Sequence, residues 1–276
     1  VADNDVSDQN YRLFSQYLEL TCGIVLGDSK LYLVKSRLMP LLRQYQLTSL
    51  NELIERIVVK QDRQIQYAAI EAMTTNETLW FRDGYPFSLL ESQVLPNFST
   101  KTSPLKIWSA ACSSGQEAYS IAMTVLNYQK KTQGLRAGVN IVGTDISEEM
   151  LQKCRLAEYD QLAMSRGLPD LFKQEYFEEV APGRLKLIAK VRAMASFRPL
   201  NLLDSYASMG RFDIIFCRNV LIYFSPAVKK QILQKLAACL QDGGILFVGA
   251  SESISEIAEL FTMVRCNPGL YYLKKN

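Results

Sequence analysis

The sequence predicts an α/β fold preceded by a small all-helical domain and interrupted by a small inserted antiparallel β-subdomain. Three observations carry that prediction. The first is the stretch Lys106-Ile107-Trp108-Ser109-Ala110-Ala111-Cys112-Ser113-Ser114-Gly115-Gln116-Glu117, followed by Tyr119, Ile121, Ala122, Val125 and Leu126 at helical spacing. An apolar strand passes through small residues straight into a helix, the unit by which an α/β sheet offers backbone N–H groups and a helix N-terminus to a ligand. The second is the return of that rhythm, with apolar runs at 139–145, 214–224 and 245–249. The third is its absence from residues 1–75, which read as helices alone. Within the first stretch only Gly115 is glycine, where a dinucleotide fingerprint has three, so an adenosine ligand without a pyrophosphate fits better; an ordinary strand-to-helix turn is the alternative.

In the first 75 residues, Tyr11, Phe14, Tyr17 and Leu18 mark one helix, and Val34, Leu38, Leu41, Leu42 and Tyr45 a second. Leu53, Ile54 and Ile57 mark a third, opened by a Ser49/Glu52 capping box, and Ile65, Ala69, Ala72 and Met73 a fourth. The second helix region carries Lys30, Lys35, Arg37 and Arg43 with no acid between 30 and 43. That face suits either an acidic partner or plain solvation. Thr74 and Glu77 again have capping-box spacing, so the segment after them is either a helix start or a functional cluster of Asn76, Thr78 and Arg82 beside Trp80 and Phe81.

After the opening strand and helix, Val139 to Asp145 is a strand ending in an acid, and Ser147 caps a helix with Glu148 and Glu149 in its first turn. An acid at the end of the second strand is where adenosine-binding α/β folds hold ribose hydroxyls; capping of the next helix is the alternative for Asp145. From Arg184 to Phe197 apolar residues take odd positions and Arg184, Lys186, Lys190, Arg192 and Arg198 even ones, which predicts two antiparallel strands after a Pro182-Gly183 turn. The basic face of 184–198 is read as a partner contact or as protection of an exposed sheet. Ile214 onward is a buried central strand with Arg218-Asn219 at its carboxyl end. Ser225-Pro226 then starts a helix expected to end at Gly243-Gly244, before a strand at 245–249 and a closing hairpin around Asn267-Pro268-Gly269.

Composition narrows the chemistry. The 276 residues are 48% hydrophobic and hold 31 basic and 28 acidic side chains, so the net charge of +3 gives no reason to invoke nucleic acid or direct membrane binding. Cys22, Cys112, Cys154, Cys217, Cys239 and Cys266 form no C-x-x-C pair, and there is no histidine at all. Zinc sites and imidazole bases are thereby excluded, and reduced, buried thiols in a cytoplasmic protein are expected. No apolar run is long enough to span a membrane, and the acidic, polar N-terminus is unlike a signal peptide.

The blocks Asn76-x-Thr78 with Phe81-Arg82, Trp108 to Glu117, Gly143-Thr144-Asp145, Asn201-Leu202-Leu203 and Phe216 to Phe224 resemble the chemotaxis receptor glutamate methyltransferases of the CheR type, over nearly the whole chain. The resemblance implies a class I, Rossmann-like S-adenosylmethionine methyltransferase. Its expected parts are a helical domain at 1–75, a linker at 76–104 contributing to the cofactor site, and an S-adenosylmethionine-binding α/β domain at 105–276 with the β-subdomain inserted at about 160–200.

By the same resemblance Asn76, Thr78, Arg82, Glu117, Asp145, Asn201, Leu202, Arg218 and Asn219 contact S-adenosylmethionine. Asp145 holds the ribose, Asn201-Leu202 surround the adenine, and Glu117 with Arg218-Asn219 face the methionine portion. Arg82 and Tyr223 lie near the transferring methyl group as the catalytic pair, and S-adenosylhomocysteine is the product. No metal is expected. The implied substrate is a glutamate side chain on the cytoplasmic helical region of a chemoreceptor. Lys30, Lys35, Arg37 and Arg43 are the candidate docking face for it, 184–198 a second contact, and a monomer the expected state. A methyltransferase with another substrate and a catalytically silent cofactor-binding adaptor are the rival readings.

Overall fold

In a computed structural model that describes residues 5–275, the chain divides into two units, one of residues 1–75 with 201–203 and 223–229, the other of 76–200, 204–222 and 230–276. The first is built on helices α1 (Asp8–Cys22), α2 (Leu31–Gln44), α3 (Leu50–Val58) and α4 (Arg63–Met73). Their ends follow local chemistry. Ser7 caps α1 by accepting from Asn10 N, and Gly23 closes it at φ +78°, a left-handed conformation that glycine adopts without a Cβ penalty. Asp62 caps α4 through Gln64 N and Ile65 N. Ser49 accepts from Glu52 N at the start of α3, but the Glu52 carboxylate returns to the N–H and hydroxyl of Thr48 rather than to Ser49, so the box is displaced by one residue. Phe14, Leu18, Val34, Leu38, Leu53, Ile54 and Ile57 fill the core of this unit, with α1 packed on α3 and α2 on α4.

No helix starts at Thr75. Thr74 instead terminates α4, its hydroxyl donating to Glu71 O, and the chain runs extended to a turn at 80–83 before α5 (Tyr85–Leu89) and two short helical turns to Phe98. The Thr74/Glu77 spacing is therefore no capping box, since a cap must be followed by helical backbone.

The second unit holds the strands β1 (Leu105–Ala110), β2 (Val139–Asp145), β3 (Glu158–Asp160), β4 (Phe177–Ala181), β5 (Arg184–Leu187), β6 (Ala195–Pro199), β7 (Phe212–Cys217), β8 (Leu240–Val248), β9 (Phe261–Cys266) and β10 (Gly269–Lys274). Its helices after α5 are α6 (Gln116–Thr132), α7 (Glu148–Leu156), α8 (Gln161–Ser165), α9 (Asp170–Tyr176), α10 (Ala189–Arg192) and α11 (Pro226–Cys239), the last beginning in the first unit. The main sheet runs β6-β2-β1-β7-β8-β10-β9, parallel from β6 to β8, with β10 antiparallel to both neighbours. β7 is buried along its whole length, as a central strand covered on both faces must be.

Two expectations need correction. The alternation from 184 to 197 is not a pair of adjacent strands. β5 pairs with β4 across the Pro182-Gly183 turn and with β3 to make the inserted sheet, α10 intervenes, and β6 joins β2 at the edge of the main sheet. A period of two states which face is buried, not which neighbour a strand takes. Likewise α11 stops at Cys239, and Gly243-Gly244 lie inside β8. There Gly243 at φ +70° makes an irregularity in the pairing with β7 between Phe212 and Ile214.

Candidate active site

The chain passes β1, β2 and β6 to one side of the sheet and β7 and β8 to the other, so the loops leaving β1 and β7 part at a switch point, where open α/β sheets bind ligands. Those loops carry Ser113 to Glu117 and Arg218-Asn219, and the end of β2 carries Asp145.

Arg218 is the centre of the arrangement. Its side chain is 1% exposed, and it donates through Nη1 to Glu117 Oε2 at 2.9 Å and through Nη2 to Asp83 Oδ2 at 2.7 Å and to the Arg82 carbonyl at 2.8 Å. Glu117, in the first turn of α6, completes its own bonding through the Ser109 hydroxyl on β1 at 2.7 Å. Its carboxylate is turned inward to this pair and not to solvent. Burial pushes the Glu117 carboxyl above the usual carboxylate range, against the opposing pull of Arg218 and Ser109. Arg218 Nε is buried with no hydrogen-bond partner, an orphaned donor of the kind a ligand carboxylate satisfies.

The loop after β1 turns through left-handed backbone at Ala111 (φ +58°), Ser113 (φ +49°) and Gly115 (φ +94°). Only the last is glycine, so the first two hold a conformation costing roughly 1–2 kcal/mol each that neighbouring contacts must offset. Asp145 supplies one of them: Oδ2 accepts from Ser113 N at 2.8 Å and Oδ1 from Ser147 N at 3.0 Å. The helix cap itself is Ser147, which accepts from Met150 N. Asp145 is 6% exposed and ties the two loops together.

The segment before α5 lies against this loop. Ser113 Oγ donates to the Asn76 carbonyl, Phe81 N to Ser120 Oγ of α6, and Arg82 Nη1 to the Glu77 carbonyl. Trp80 anchors the segment. It is fully buried, with Tyr159 of β3 and Phe177 of β4 edge-on at 4.8 and 5.3 Å. Asn76, Thr78 and Arg82 are half-buried.

Asn76, Thr78, Arg82, Glu117, Asp145, Arg218 and Asn219 thus belong to the second unit, and Asn201, Leu202 and Tyr223 to the first. There Asn201 Nδ2 donates to the Thr21 carbonyl near the end of α1, and its Oδ1 accepts from Leu203 N. Leu202 is buried and Tyr223 half-buried, the Tyr223 carbonyl accepting from Val25 N. Of the basic residues, Lys35 pairs with Asp5 at 2.7 Å, and Arg37 donates to the Met73 and Thr74 carbonyls and the Thr75 hydroxyl, closing the end of α4. Lys30 and Arg43 are exposed.

Asp83, Ser109 and Glu252 take part in the site and escape sequence reasoning. Ser109 sits within a recognisable block and Asp83 directly after one; Glu252 carries no such signal. Neither Cys112 nor Cys217 is poised as a nucleophile. Cys112, hydrogen-bonded to Cys154 and buried, is held well above the ordinary thiol range, and burial does the same to Cys217. Among the described residues no cluster of His, Cys, Asp and Glu is placed to hold a metal ion, and no helix is long and apolar enough to cross a membrane.

Residues 9–74 match the all-alpha domain of CheR methyltransferases and residues 76–270 their SAM binding domain. The chain is 54% identical over 270 residues to the chemotaxis protein methyltransferase of Vibrio parahaemolyticus, covering 98% of each chain. It is 49% identical to chemotaxis protein methyltransferase 1 of Pseudomonas aeruginosa, over 98% of this chain and 99% of that one. Identity to the chemotaxis protein methyltransferase of Escherichia coli is 33%, over 94% and 89%.

Proposed function

The chain belongs to the CheR methyltransferase family, and from that premise we propose that it transfers the methyl group of S-adenosylmethionine to glutamate side-chain carboxylates of chemoreceptors. Methylation dependent on S-adenosylmethionine, in chemotaxis, follows from the family and its named relatives. The carboxylate acceptor is the finer step.

The observation that carries it is a site with neither an imidazole nor a low-pKa thiol at Cys112 or Cys217 to serve as base. The chain has no histidine, the Cys112 and Cys217 thiols are pushed well above the ordinary range, and Glu117 is committed to Arg218. A glutamate side chain, which in water loses its proton at a pH of about 4.3, is already an ionised nucleophile at neutral pH and needs none. An amine would have to lose a proton first.

The residues fit the cofactor. Glu117, Asp145 and Asp83 outnumber Arg218 where a cationic ligand is wanted, and the orphaned Arg218 Nε–H suits a ligand carboxylate. When bound, S-adenosylmethionine supplies an electrophilic methyl on a sulfonium. Asn76, Thr78, Glu117, Arg218 and Asn219 would hold its methionine side, Asp145 the ribose, and Asn201 and Leu202 the adenine. The Asn201 side chain is already engaged with Thr21, so its contribution falls to its backbone and to Leu202. Arg82 would orient carboxylates and Tyr223 line the path of the methyl group. In-line displacement asks chiefly for alignment and exclusion of water.

The receptor's acidic helical bundle would meet Lys30, Lys35, Arg37 and Arg43 in the cytoplasm. A second contact at 184–198 would lie beside a groove of about 790 Å³ in the inserted subdomain, lined by Leu162, Leu168, Lys173 and Glu179, to which that stretch itself contributes Leu185. A monomer would suffice for this chemistry. The test is a receptor cytoplasmic fragment incubated with methyl-labelled S-adenosylmethionine. Label should enter the native fragment and be lost when its accepting glutamates are replaced by glutamine; equal labelling of both would sink the reading.

A further inference from the structure

Glu252 follows β8 in the loop from Gly249, and its carboxylate is spent on backbone amides alone. Oε2 accepts from Gly249 N at 2.7 Å and from Asn219 N at 2.8 Å, and Oε1 accepts from Leu221 N at 2.8 Å. Two of those donors belong to the turn that leaves β7, and the third ends β8, so one side chain ties the carboxyl ends of two adjacent strands. The geometry leaves no slack. A Cβ built on Gly249 would lie 2.6 Å from Glu252 Oε2 and 2.9 Å from Asn219 N, so glycine is required for the carboxylate to come this close. Asn219 stands at φ +58°, a left-handed conformation that asparagine tolerates better than most non-glycine residues. Charge-assisted bonds from a carboxylate to N–H groups are among the stronger neutral-partner contacts available for the purpose.

We infer that Glu252 is a positioning residue for cofactor binding: it clamps the 219–221 turn and thereby sets the Asn219 side chain and the adjoining Arg218. The inference rests on the reading that Asn219 and Arg218 contact S-adenosylmethionine. Glu252→Gln keeps the shape but turns one of the two acceptor oxygens into a donor. Whichever way the amide is placed, at least one of the three N–H groups then faces an N–H instead of an oxygen.

The experiment compares wild type, N219G and E252Q by calorimetric titration of S-adenosylhomocysteine and by steady-state methylation. N219G removes the Asn219 side chain while keeping its backbone conformation at no steric cost. Both variants should lose at least fivefold in affinity, and E252Q should raise the KM for S-adenosylmethionine about tenfold with kcat at saturation within threefold. Damage that merely lowers the fraction of folded protein scales kcat and leaves KM alone. Unchanged affinity in N219G refutes the underlying reading and the inference with it. A weakened N219G beside an unaltered E252Q refutes the clamp alone. Should E252Q fail to fold, wild-type hydrogen exchange decides: ligand must slow exchange at the Gly249, Asn219 and Leu221 amides, and unchanged rates at all three overturn the proposal.

Discussion

Arg218 and Glu117, 101 residues apart in the chain, meet as an ion pair of 2.9 Å that joins the end of β7 to the first turn of α6. The same guanidinium reaches Asp83 and the Arg82 carbonyl, so three segments of the site are held by one side chain. Replacing Arg218 by Met should cost about 3–5 kcal/mol in urea unfolding, because Glu117 is left charged and buried without its partner. Arg218→Lys should fold better yet bind S-adenosylhomocysteine poorly, since one ammonium cannot reproduce the fork that reaches all three acceptors.

Acid should separate binding from stability. Burial raises the Glu117 carboxyl in the folded state, so its contribution to stability is complete below its unfolded pKa of about 4.3 and is lost as pH rises through the folded value. The ion pair has the opposite sense: protonation of Glu117 on acidification releases Arg218. As pH falls toward the ordinary carboxylate value of about 4.3, affinity for S-adenosylhomocysteine should fall in the wild type at constant ionic strength, with no matching loss of stability from this group. Glu117→Gln should flatten that dependence. A variant profile that tracks the wild type would assign the titration to another residue.

Trp80 is the wedge on which the 76–83 segment is mounted. Trp80→Ala should destabilise the second unit by about 3–5 kcal/mol, the range for removing a buried aromatic side chain. Gly167→Ala tests the same contact from the other side. Gly167 has φ +86°, and a Cβ there would lie 2.3 Å from the Trp80 carbonyl oxygen, so this small substitution should lower the midpoint of denaturant unfolding measurably.

The basic face of α2 divides into structural and available charges. Arg37→Glu should destabilise the first unit, because its guanidinium closes the end of α4. Lys30→Glu combined with Arg43→Glu should leave folding and cofactor affinity unchanged while raising the KM for receptor several-fold, more at low salt than at high. Receptor kinetics of that double variant equal to wild type at every salt concentration would remove the face from the docking surface.

The β1–loop–α6 unit was legible because apolar strand, small residues, glycine and helix follow one another locally. The Ser147 cap and the closing hairpin around Pro268 were legible for the same reason. What escaped depends on partners distant in the chain. The alternation at 184–197 is real, yet β5 finds β4 while β6 finds β2, a choice that periodicity does not encode. Thr74 and Glu77 have the spacing of a capping box and no helix behind them. Glu117 and Arg218 stood out by motif as separate cofactor ligands, whereas their bond to each other appears only in three dimensions. Glu252 looks in sequence like any loop carboxylate, and only the three N–H groups around it reveal its use.

The carboxylate acceptor is tested most directly by the chemistry of the product bond. Protein, chemoreceptor-containing membranes and methyl-labelled S-adenosylmethionine are incubated together, and the washed receptor is treated with alkali. A carboxyl ester must release its label as volatile methanol. Label that stays on the receptor after alkali would mean methylation on nitrogen and would contradict glutamate as the acceptor.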